Sequence, residues 1–179
     1  MQGISDLARI MQEQPMPSEV ENEQFNYTSK FINQGFKAAI FALMQSLRNE
    51  QAVAEFMSNN EWIERMLQIA EEFEEEETVV AIIRSLKLTF RYDHSYDKIC
   101  EKYPSMGEFL CQTLSQYSNS KQIVRESLAA LEMLLRKPHY IKLIQSHWHA
   151  KILALKNQGQ HSDQTAIIDR IMAKLKQRG

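Results

Sequence analysis

The chain has 179 residues, the size of one ordinary domain, of which 44% are hydrophobic and 25% charged. That is enough apolar material for a core, which excludes global disorder. No apolar run approaches the roughly 18 residues that a membrane-spanning helix needs.

The net charge of −2 conceals a polarity. Residues 1–90 carry 7 Lys/Arg against 15 Asp/Glu, and residues 91–179 carry 14 against 8. Such polarity bears on association and steering, not on fold. The opening "MQGISDLARIMQEQ" has neither a basic leader nor an apolar signal core, Gly3 is not the second residue, and "KQRG" is no prenylation box. The expected setting is therefore the cytoplasm, without a lipid anchor. Cys100 and Cys111 form no CxxC pair and read as reduced, buried thiols.

Helical periodicity dominates, with five glycines, four prolines and no strand pattern. The first helix is predicted over "SDLARIMQE", capped by Ser5, with Ile4, Leu7, Ala8 and Met11 as its apolar stripe. Pro15 and Pro17 break it. A helix through Phe25, Tyr27, Thr28, Phe31 and Ile32 is predicted to end or bend at Gly35.

A repeat follows. "FKAAIFALMQSLRNEQAVAEF" (36–56), "VVAIIRSLKLTFRYDHSYDKI" (79–99) and "VRESLAALEMLLRKPHYIKLI" (124–144) align at offsets of 43 and 45 residues. Ile40, Ile83 and Leu128 superpose; so do Leu43, Leu86 and Leu131, then Leu47, Phe90 and Leu135. Val53, Tyr96 and Ile141 follow, then Phe56, Ile99 and Ile144. Arg48, Arg91 and Arg136 also fall in register. Each segment runs on into a further helix: "EWIERMLQIAEEF", then "PSMGEFLCQTLSQY", with Pro104 suited to a first turn, then "HWHAKILALKNQ". There Ile63, Met66 and Leu67 match Met106, Phe109 and Leu110, while the third segment needs a small shift to bring in Ile152 and Leu155. "KNQGQHS" reads as a flexible joint. "SDQTAIIDRIMAKLKQR" reads as a closing helix, with Ser162 or Asp163 as N-cap and Ile167, Ile168, Ile171, Met172 and Leu175 as its apolar face.

Units of roughly 40–47 residues with two or three helices are the range of HEAT and armadillo repeats. Long helix, short helix, long helix resembles the armadillo repeat more than the two-helix HEAT repeat. The resemblance implies an all-α, right-handed superhelical solenoid. It would have an N-terminal cap (1–35), three repeats (about 36–78, 79–122 and 123–157) and a C-terminal capping helix (158–179). Terminal caps are expected, because a repeat cannot bury its apolar face alone.

The sequence carries no phosphate loop, dinucleotide fingerprint, nucleophile elbow or HExxH. His147 and His149 would lie about 200° apart on a helix, facing opposite sides. His94, His139 and His161 add no carboxylate or thiol at ligand spacing. His161, Ser162 and Asp163 are adjacent in sequence, which is not what a triad needs. The expectation is a chain without enzymatic activity, cofactor or metal.

Two features remain as candidate contact sites. The run "EEFEEEET" places six glutamates between residues 71 and 77. Glu71 and Glu72 read as a fraying helix end, Phe73 as an apolar anchor, and Glu76 and Glu77 as the next helix's first turn, where carboxylates suit the dipole. That account does not require six charges, so Glu72, Glu74, Glu75 and Glu76 are also candidates for meeting a basic partner. Arg48, Arg91 and Arg136 are either favourable charges at helix C-termini or a guanidinium row for acidic partner residues. Armadillo proteins that receive nuclear-localisation peptides carry Trp-x-x-x-Asn pairs. Here Met66 follows Trp62 and Ile152 follows Trp148 at that spacing, which argues against an import receptor.

The function the resemblance implies is a non-catalytic protein–protein interaction scaffold or adaptor, a subunit of a larger assembly. A cytoskeletal or ciliary assembly would fit that expectation. The alternative is a structural protein that self-associates, acidic half to basic half. Nucleic-acid binding through Lys151, Lys156, Arg170, Lys174, Lys176 and Arg178 ranks below both, because the pI is about 6.2 and no aromatic–basic motif supports base stacking.

Overall fold

A computed structural model describes residues 26–59, 61–72 and 75–176. These residues are all-helical, and none of their helices is long and apolar enough to cross a membrane. In chain order the helices are α1 (Asn26–Ser46), α2 (Glu50–Phe56), α3 (Glu61–Glu72), α4 (Glu76–Thr89), α5 (Asp93–Lys102), α6 (Met106–Gln116), α7 (Lys121–Leu134), α8 (Pro138–His147) and α9 (His149–Lys156). A 3₁₀ turn over Gly159–Gln164 leads into α10 (Thr165–Lys176). The helix expected over residues 5–13 and its cap lie outside the described residues.

The sequence signals set most of the breaks. Asn49 caps α2, its side chain accepting from the Gln51 amide at 2.9 Å. Ser120 caps α7 by accepting from the Ile123 amide. Pro138 is the first residue of α8, where its missing N–H costs no helical bond. Pro104 instead sits in the turn two residues before α6.

Chain packing divides the protein into two units, Met1–Leu88 and Thr89–Gly179. In the first, the core draws on Phe36, Ile40, Leu43, Leu47, Val53, Phe56, Ile63, Met66 and Ile69. The Phe56 and Trp62 rings join α2 to α3 at 5.6 Å. The Arg65 guanidinium lies over the Phe36 ring, joining α3 to α1. Every α4 residue from Thr78 to Ile83 is buried, and the polar residues Glu76, Glu77, Arg84 and Lys87 lie on either side of that stretch.

In the second unit, α6 packs on α7 and α8, and α10 packs on α7, α8 and α9. Two buried tyrosines pin this packing. The Tyr96 hydroxyl on α5 donates to the Leu134 carbonyl at 3.0 Å, and the Tyr140 hydroxyl on α8 donates to the Tyr103 carbonyl at 3.0 Å. The five apolar triplets that superpose across all three segments, from Ile40, Ile83 and Leu128 to Phe56, Ile99 and Ile144, are buried, none more than 3% exposed, while in the following helices Phe109 is 8% exposed and Leu67 is half-buried.

Two expectations are corrected. Gly35 does not end a helix: α1 runs unbroken from Asn26 to Ser46. A single interior glycine costs a helix only about 1 kcal/mol relative to alanine, and its own N–H and C=O still join the ladder. "KNQGQHS" is also no open joint. It contributes to a 3₁₀ turn in which His161 is fully buried, and Ser162 and Asp163 lie inside that turn instead of capping α10. Of the apolar face expected for α10, Ile168, Ile171, Met172 and Leu175 are buried and Ile167 is half-buried.

Candidate interaction surface

The acidic run lies where α3 passes to α4. Glu72 closes α3, Glu76 and Glu77 form the first turn of α4, and Phe73 and Glu74 lie outside the described residues. Glu75 holds the joint. Its backbone carbonyl accepts from the Thr78 and Val79 amides, and its carboxylate accepts from the Thr78 hydroxyl at 2.9 Å. Lys37 of α1 reaches the same place, pairing with Glu75 at 2.7 Å and also with Glu77. The Lys37 hydrogen bond holds the Glu75 carboxyl below the usual range, and Glu75 and then Glu77 raise the Lys37 ammonium in return. Of the four glutamate candidates, Glu75 thus ties α1 to α4, while Glu76 is exposed on the α4 turn.

The three arginines occupy one recurring place. Arg48, Arg91 and Arg136 each lie two residues past the end of α1, α4 and α7, and each is exposed. Arg136 is engaged by its own chain. It donates to the Phe90 carbonyl at 2.8 Å, pairs with Asp93 at 3.0 Å and stacks 3.8 Å from the centre of the Tyr96 ring. Lys137 beside it pairs with Asp97 at 2.7 Å. The flat guanidinium suits this role because it can hydrogen-bond in its plane while its face covers an aromatic ring. Beneath the stack, burial pushes up the Cys100 thiol and the Tyr96 and Tyr140 hydroxyls, so all three stay protonated. The pair at His147 and His149 does not lie on one helix: Trp148 interrupts it with φ −120° and ψ −11°. Among the described residues no three His, Cys, Asp or Glu side chains converge as metal ligands would.

The second unit also carries a pocket that the sequence reading missed. It has a volume of about 280 Å³ and lies between α6 and α9. Cys111 and Leu114 line it from α6, and Ile152 and Leu155 from α9. Trp148 and Lys151 complete it. Ser115, Ser118 and Gln158 supply its polar edge. Burial pushes the Cys111 thiol up to about 12, so it is a neutral, inert wall.

Helix α9 explains the concavity. Its inner side holds Ile152 and Leu155, both buried, and Ala154 lines the pocket while exposed; its outer side is also apolar, with Ala150 and Leu153 exposed. The Lys151 ammonium lies 4.3 Å from the Trp148 ring centre. At the end of α9, His161 fixes the wall: its Nε2 donates to the Ser118 carbonyl at 2.6 Å, and its amide donates to the Gln158 carbonyl. A signal for this surface was present in "HAKILALK", which has no polar face beyond its two lysines and the opening histidine.

The basic residues considered for phosphate contact are largely paired within the unit. Lys156 meets Asp169 at 2.6 Å, and Arg170 and Lys174 both meet Glu132. Arg178 lies outside the described residues. No protein-family model matches the chain, and no curated protein matches it significantly.

Proposed function

We propose that the chain is a non-catalytic protein–protein interaction scaffold, a subunit of a larger cytoplasmic assembly. In this reading residues 36–157 form three armadillo-like repeats, about 36–78, 79–122 and 123–157, in a right-handed superhelical solenoid closed by caps at 1–35 and 158–179. The burial of the five apolar triplets that superpose across the three segments supports it. So does the succession of helices of 14, 10 and 11 residues (α4–α6) by helices of 14, 10 and 8 (α7–α9).

The observation that carries the functional part is the α6–α9 pocket. It is a preformed apolar concavity with an inert thiol, no carboxylate in its lining, and exposed apolar residues beside it. Binding sites are typically concave and apolar with a few placed polar groups, and an anchor side chain in such a pocket is how a scaffold gains affinity.

The test is a native pull-down read by mass spectrometry, comparing the wild type with Ala154→Trp and Glu76→Lys. Ala154 and Glu76 are exposed, so both variants keep the core. A partner recovered by the wild type and lost with Ala154→Trp supports the pocket as the contact. Loss with Glu76→Lys alone moves the contact to the acidic joint. A chain that brings down only itself favours self-association, which the opposite charges of its two halves would drive.

A further inference from the structure

We infer that the α6–α9 pocket takes an apolar side chain of a partner polypeptide that bears an aspartate or glutamate close beside it, the carboxylate meeting Lys151. This rests on the scaffold reading and specifies the partner's chemistry.

Three observations point to that ligand. The first is the state of Lys151. Lys37, Lys137, Lys156 and Lys174 each have a carboxylate within 4.0 Å. Lys151 has none among the described residues; its one partner is the face of Trp148. An ammonium seated on an indole face is held at the pocket's edge by the cation–π attraction, and being exposed it stays open to an anion.

The second is the surrounding charge. Residues 133–162 contain Arg136, Lys137, Lys142, Lys151 and Lys156 and not one Asp or Glu. Within this stretch Arg136, Lys137 and Lys156 are neutralised by Asp93, Asp97 and Asp169 from elsewhere, which leaves Lys142 on α8 and Lys151 on α9, of which only Lys151 lines the pocket. On the facing helix the nearest acid in sequence is Glu108, three residues before Cys111 and outside the lining. An incoming basic segment would meet like charge, and an acidic one would be steered in.

The third is size and polarity. About 280 Å³ falls just under the roughly 300–1,000 Å³ of sites for drug-sized ligands and suits one large side chain with room to spare. Leu114, Ile152, Leu155 and the Trp148 ring offer that side chain apolar contact, while Ser115, Ser118 and Gln158 can meet the peptide backbone at the edge.

The experiment is selection of a displayed random 12-residue peptide library on the full chain, run in parallel on the wild type, Lys151→Glu and Ala154→Trp. Positions 151 and 154 are exposed, so folding is preserved and is verified by circular dichroism. The wild type is expected to enrich peptides with Leu, Ile, Phe or Trp within three positions of an Asp or Glu. Binding of those peptides is expected to fall about tenfold with Lys151→Glu, whose own selection turns to Lys and Arg. Ala154→Trp, which fills the pocket mouth, is expected to lose them.

Enriched peptides without acidic residues, or acidic peptides indifferent to Lys151→Glu, overturn the inference while leaving a scaffold that works through another surface. No enrichment at all overturns it too, and the pull-down then decides the scaffold reading separately. If the wild type forms dimers in sedimentation that Lys151→Glu abolishes, the occupant is a second copy of this chain and the assignment to a partner polypeptide is wrong.

Discussion

Gly107 and Gly35 make opposite predictions from the same substitution. Gly107 is the second residue of α6, where α6 and α8 approach closely. A Cβ built there would lie 2.8 Å from Cδ1 of Tyr140 and 3.2 Å from Cδ2 of Leu143. The leucine tip can give. The tyrosine ring cannot give cheaply, because it is fully buried and its hydroxyl is held by the Tyr103 carbonyl. Relief requires either breaking that bond or moving α8 away from α6. Overpacking of this kind costs about 1–3 kcal/mol. The helix-propensity gain of alanine over glycine returns at most about 1 kcal/mol, and less in a first turn. Gly107→Ala is therefore expected to destabilise by about 1–2 kcal/mol net, a fall in Tm of roughly 3–6 °C for a chain of this length. At Gly35, in the interior of α1, nothing lies within 4 Å of the added Cβ. There Gly35→Ala is expected to stabilise by about 0.5–1 kcal/mol. Urea and thermal denaturation of both variants measure this directly. If Gly107→Ala is neutral or stabilising, the close approach of α6 and α8 is not as described. If Gly35→Ala destabilises, α1 does not run through position 35.

Two further predictions concern the second unit. Tyr140→Phe deletes the donor to the buried Tyr103 carbonyl, and a loss of about 1–2 kcal/mol with an unchanged urea m-value is expected; an unchanged midpoint would mean that the carbonyl finds another donor. Glu132 is held below the usual carboxylate range, first by its hydrogen bond to Arg170. A depressed folded value stabilises above the unfolded value of about 4.3, and that contribution disappears as pH falls through the folded value. The docking of α10 on α7 is expected to loosen below about pH 4, seen as faster amide exchange along α10. Glu132→Gln should flatten that dependence; an equal pH slope in the variant would show that the acid loss comes from elsewhere.

The sequence reveals the core of this protein better than its surface. The register of Ile40, Leu43 and Leu47 with their counterparts at offsets of 43 and 45 is legible because burial leaves a period that one strand of text displays. The joint at the glutamates is legible for the same local reason, since dipole and capping preferences act within a turn. Gly35 misled because glycine is only a weak veto in a helix interior, and neighbouring packing decides. The tie between Lys37 and Glu75 joins residues 38 apart, and that between His161 and Ser118 joins residues 43 apart. Neither spacing has a period to betray it. Arg136 was legible as a recurring position but not as a stacked group, because the Tyr96 ring it covers comes from another helix. The α6–α9 pocket had one local sign, the nearly all-apolar "HAKILALK". A short helix that is apolar on both sides reads as core until the structure shows one side facing solvent.

The most direct test of the scaffold account is site-specific photo-cross-linking in living cells, with a photoreactive phenylalanine analogue placed at position 154 beside the pocket and, as a control, at exposed Glu101 on α5. The account predicts a discrete adduct to another polypeptide from position 154, absent from position 101 and suppressed by Lys151→Glu. No adduct at 154, or the same adducts from both positions, would contradict it.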